Sequence, residues 1–95
     1  MHDMRKMNDL PTEVKLLVVK AQTLVDETRS RMKKPGLYLD LTCKMQLKND
    51  CAEAERRIKG LAKSKNLQKD AEKLNQTVLR LKTTSENILH WSYHE

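Results

Sequence analysis

The segment "LAKSKNLQKDAEKL", residues 61–74, decides the fold of this chain. Before it, Cys43, Leu47, Cys51, Ala54, Ile58 and Leu61 recur at spacings of three and four, the signature of one helix face. Within and after it, Leu67, Ala71, Leu74, Val78, Leu81, Ser85 and Ile88 do the same. The two stripes are out of phase. Stepping by sevens through Leu47, Ala54 and Leu61 leads to Gln68 and Asn75, whereas the apolar residues are Leu67 and Leu74. One continuous helix would carry the second stripe off the face of the first. The interval also holds Gly60 and the polar run Lys63-Ser64-Lys65-Asn66. Ser64 and Asn66 suit a helix N-cap, and Asp70 and Glu72 suit the positive end that follows. The reading is two helices joined by a short turn, rather than a long coiled coil with a one-residue skip.

Upstream, Val14, Leu17, Val18, Ala21, Leu24, Val25, Thr28 and Met32 share one face of a further helix. Asn8 and Asp9 offer its N-cap, Pro11 falls in the first turn, and Glu13 favours the dipole. Pro35-Gly36 stops it. Leu37-Tyr38-Leu39-Asp40-Leu41 alternates like a strand, but no second strand candidate exists to pair with it. It reads as a loop running into the second helix, with Leu37 or Leu39 folded back on the core and Asp40 in the first turn. The expectation is a single domain over residues 1–95, with a flexible arm at 1–8 and helices near 10–34, 39–62 and 66–92. Short connections make neighbours antiparallel, so the fold class is all-α, an up-down-up three-helix bundle with heptad-like core packing.

Composition agrees. Only two Gly and two Pro occur, too few for a turn-rich β fold. Phe is absent and aromatics make up 3%, so the core must come from Leu, Val, Ile, Met and Ala. Charged residues reach 34%, and nineteen bases against thirteen acids give a net charge of +6. No apolar run approaches the length of a membrane span, and "MHDMRKMNDL" lacks the apolar centre of a signal peptide. Cys43 and Cys51 would lie about 12 Å apart on one helix, too far for a disulfide. The expected setting is intracellular, in the cytoplasm or the nucleus.

Enzymatic chemistry is not expected. There is no Gly-rich phosphate loop and no His-Glu-x-x-His motif. The three histidines, His2, His90 and His94, lie near the termini, poor ground for holding a general base. His90 and His94 share a helix face, yet two ligands do not make a metal site. No cofactor or metal is expected. Cys43 and Cys51 fall on the core stripe and read as small hydrophobes. Tyr38-Leu39-Asp40-Leu41 matches the loose spacing of a tyrosine-based sorting signal and is read as coincidence.

Two surface patterns remain. Leu16, Val19 and Thr23 lie opposite the core stripe of the first helix, Leu41 and Met45 opposite that of the second, and Leu79 off that of the third, with Trp91 near the C-terminus. These are the candidate partner-binding residues. The bases form two groups: Arg29, Arg31, Lys33 and Lys34 at the end of the first helix, and Arg56, Arg57, Lys59, Lys63 and Lys65 around the second turn. A bundle puts these groups at opposite ends. The favoured expectation is a non-enzymatic protein–protein interaction module that binds a partner helix or peptide through a second apolar face. The alternatives are a basic module docking on nucleic acid or another polyanion, and a self-associating coiled-coil subunit forming a homo-oligomer.

Overall fold

The turn that the phase slip implies is present. A computed structural model of the chain describes residues 10–34 and 38–91. Helix α2, Leu41–Leu61, ends at Ala62, and helix α3, Leu67–Leu89, begins after Asn66. The Asn66 side chain accepts the Lys69 N–H at 3.2 Å, as an N-cap should. Ser64 is buried in the turn. Its hydroxyl donates to the Asp70 carboxylate at 2.6 Å and accepts the Asn66 N–H at 3.2 Å. The Lys63 and Ser64 N–H groups return to the carbonyls of Gly60 and Leu61, which tightens the end of α2. Sequence and hydrogen bonding thus close the reversal locally.

Helix α1, Thr12–Met32, completes the set, and each helix packs against the other two. No strand occurs among the described residues. The chain is an all-α three-helix bundle. Helix α1 starts two residues later than expected: Pro11 occupies the N-cap with an extended ψ of 149° and offers no side-chain cap. Asn8 and Asp9 lie outside the described residues, as do the rest of the expected 1–8 arm, Pro35-Gly36 and Leu37. Tyr38 to Asp40 form the expected loop into α2, with Leu39 half-buried. Asp40 is the N-cap of α2 rather than a member of its first turn, and accepts the Cys43 N–H at 2.8 Å. That bond holds the Asp40 carboxyl below its ordinary value.

The core is built from Ala21, Leu24 and Val25 of α1, Cys51, Ala54, Ile58 and Leu61 of α2, and Leu74, Val78 and Leu81 of α3. Leu47 is also fully buried. The stripes open toward some helix ends and not others: Leu61, the last residue of α2, is fully buried. Val14, Leu17, Val18, Met32, Cys43, Leu67, Ala71 and Ile88 were all expected in the core and are only half-buried. The neighbouring helices cover these positions incompletely. The interior also holds a polar pair: the Thr28 and Ser85 hydroxyls meet at 3.0 Å, and the Trp91 indole N–H donates to Ser85 at 2.8 Å. Buried hydroxyls need such partners.

Candidate interaction surfaces

Leu16 and Val19 are 64% and 62% exposed, and Thr23 is exposed with them. Their spacings of three and four put them on one face of α1, turned away from Ala21, Leu24, Val25 and Thr28. Leu41 and Met45 are 72% and 52% exposed at the start of α2. Leu79, half exposed, stands on α3. These residues belong to outer faces of three different helices and do not form one patch. Trp91 is placed otherwise. It is half-buried against the core, its N–H is held by Ser85, and the Arg31 guanidinium stacks 4.2 Å from its ring centroid.

The cations divide in two. Arg29 forms a bidentate pair with Glu55, at 2.9 and 2.6 Å, joining α1 to α2. Arg31 lies 3.5 Å from Glu27, and Arg56 and Arg57 each lie 3.8 Å from Glu53. Glu53 also accepts from Arg80 and from Thr77 of α3. Lys33 and Lys34 remain exposed beyond α1, and Lys59, Lys63 and Lys65 around the end of α2. The four arginines of the proposed polyanion set are therefore opposed by carboxylates, and the five lysines are split between two ends. Such an arrangement weakens phosphate docking, which needs uncompensated charge in one place.

The Arg29–Glu55 pair has a pH consequence. The hydrogen bonds from Arg29, with its charge, hold the Glu55 carboxyl below its ordinary value. A depressed folded value stabilises the fold above the unfolded pKa of about 4.3 and is lost as pH falls through the lower, folded value. The pair is partly exposed, so its net worth is about 0.2–1 kcal/mol. Glu55→Gln is expected to lower the melting temperature slightly at pH 7 and not at all near pH 2. Equal losses at both pH values would mean that the carboxylate charge contributes nothing.

Burial pushes the Cys51 thiol up to about 11, which keeps it protonated and unreactive. Cys43 is half-buried in the first turn of α2. His90 closes α3 in a left-handed conformation at φ 55°, while His2 and His94 lie outside the described residues. Among the described residues no group of three or more His, Cys, Asp or Glu converges on one point. Tyr38 is 87% exposed, but Asp40 is fixed as a cap and Leu41 is already helical. The four residues from Tyr38 are therefore not free to lie extended, as an adaptor would require.

One surface feature is absent from the sequence reading. A notch of about 780 Å³ runs between the N-terminal halves of α1 and α3. Its floor is Val14, Leu17, Leu67 and Ala71; Glu13, Gln68, Glu72 and Asn75 form the rim. No residue of α2 lines it. The four floor residues belong to the core stripes, and they stay half-buried because α2 does not cover them. The signal was the helix lengths and offsets, not the residue types. No helix of the described residues is long and apolar enough to cross a membrane. Comparison with protein-family models, with curated proteins and with solved structures returned no match.

Proposed function

We infer that this chain is a non-enzymatic protein–protein interaction module, which takes a partner helix on the outer face of α1. The observation that carries this reading is the exposure of Leu16 and Val19, 64% and 62%, directly behind a buried stripe. A helix in a three-helix bundle needs one apolar side, and a second side leaves hydrocarbon in water unless a partner covers it. The partner is best met by an amphipathic helix with apolar residues three or four apart. Its polar flanks would be acidic, to suit a net charge of +6. Transfer of a Leu and a Val side chain from water contributes about 1.5–3 kcal/mol each, from which ordering costs subtract. That suits a contact of about micromolar strength.

Leu16→Glu with Val19→Lys is expected to weaken partner capture from cell extract at least about tenfold, a loss of about 1.4 kcal/mol. Helix content and melting temperature should stay nearly unchanged, because both side chains face solvent. Charge reversal at Arg56 and Arg57 should do less. Loss of capture in the arginine variant alone, with the apolar variant silent, would replace this reading with docking on a polyanion. Unfolding of the apolar variant would place Leu16 and Val19 in the core. Self-association is a second reading, favoured by the notch.

A further inference from the structure

The notch and the start of α2 are complementary surfaces at opposite ends of the molecule. We propose that the notch of one chain receives the Leu41–Met45 end of α2 from a second copy, joining copies head to tail. This surface is separate from the outer face of α1, and the inference does not depend on the partner reading above.

Three observations carry it. The first is shape. The floor of Val14, Leu17, Leu67 and Ala71 is apolar, and a volume near 780 Å³ lies within the range of about 300–1,000 Å³ that ligand clefts span. Leu41 and Met45, 72% and 52% exposed, form an apolar knob on the first turns of a helix, and a helix end can enter a cleft between two helices. Leu16 and Val19 cannot, because they lie within α1 on a continuous helical face.

The second is charge. Among the described residues, Glu13 and Glu72 are the charged residues lining the notch, and no Lys or Arg lines it. In a chain of net charge +6 that is a local exception. The knob carries the complement: Lys44 and Lys48 lie within one turn of Leu41 and Met45, against one carboxylate within residues 38–48, Asp40, which is committed to the Cys43 N–H. Complementary charges select partner and register.

The third is placement. The short turn puts the start of α3 beside the end of α2, so Leu41 lies about 30 Å from the notch at 1.5 Å per residue. The knob of a chain therefore cannot reach that chain's own notch. The notch lies on the α1–α3 seam, whereas the knob projects from the outside of α2, so one neighbour cannot satisfy both. The contact is heterologous and does not close, which gives chains of copies rather than a symmetric dimer. A helix end in a cleft buries less than about 1,200 Å², the range of weak, transient contacts, so growth requires high concentration.

Sedimentation equilibrium on the full chain tests this from about 10 µM to about 1 mM, the span in which weak contacts populate. The wild-type average mass should rise steadily above 11.1 kDa with concentration. Leu41→Ser with Met45→Ser removes the apolar knob; Glu13→Lys with Glu72→Lys disables the notch. All four residues are exposed, so folding should persist, and circular dichroism checks it. Each variant alone should remain monomeric. Mixed in equal amounts, they should form a dimer that stops at two, since one supplies the working knob and the other the working notch. Wild type that stays monomeric throughout overturns the proposal. So does a mixture that does not dimerise, or a variant that still associates as wild type does. Loss of association on Leu16→Glu with Val19→Lys alone would assign self-association to the outer face of α1 and would equally overturn it.

Discussion

Leu74→Ala is expected to destabilise the bundle by about 2–5 kcal/mol. Leu74 is fully buried, at the level where α3 meets the core residues of both other helices. Truncation removes the transfer energy of its methyl-bearing branch and leaves a cavity that close-packed neighbours fill only in part. Domains of this size hold only about 5–15 kcal/mol in total, so the loss is a large share. Urea or thermal unfolding of the purified variant measures it. A melting temperature within a degree or two of wild type would mean that the stripe on α3 is not the core.

Ser85→Ala should cost about 1–3 kcal/mol although it removes one oxygen atom. The Ser85 hydroxyl is fully buried and serves two partners, the Thr28 hydroxyl at 3.0 Å and the Trp91 N–H at 2.8 Å. Deleting it leaves Thr28 Oγ1 buried without its partner on α3, and the indole loses its acceptor. The desolvation of those groups is still incurred, with nothing in return. Thr28→Val with Ser85→Ala removes the hydroxyls on both sides and should be less costly than the sum of the single changes, because an apolar pair of similar shape replaces them. Strict additivity in that double-mutant cycle would show that the two hydroxyls do not interact. Trp91 fluorescence should also respond to Ser85→Ala, since its ring loses the contact that seats it against the core.

The helices and the turn between α2 and α3 were legible because they rest on local rules. Phase, a capping Asn66 and an apolar stripe are each written within a few residues. The exposure of Leu16, Val19, Leu41 and Met45 was legible for the same reason: angular position on a helix follows from spacing. What was hidden depends on how the helices slide past one another. The pairing of Arg29 with Glu55 needs the axial offset of α1 and α2, which no spacing within either helix records. The notch arises because α2 leaves Val14, Leu17, Leu67 and Ala71 uncovered. The same offset leaves Cys43 half-buried. Trp91 resembles a surface anchor in sequence, and only the fold shows Ser85 and Arg31 waiting for it. Thr77 is buried although it lies off the heptad of α3, since its hydroxyl donates to Glu53 across the α2–α3 seam.

Every surface assigned above depends on the reversal at residues 62–66, and a distance across it is the most direct test. Asn49 on α2 and Thr83 on α3 are both exposed and accept spin labels without disturbing the core. In the bundle their helices lie side by side at about 8–10 Å between axes, so the labels should fall within about 20 Å of each other. In a continuous helix thirty-four residues would separate them by about 51 Å. Electron spin echo distances on the monomer resolve these cases. A single population near 20 Å is the predicted result, and a population near 50 Å would contradict the bundle and the surfaces derived from it.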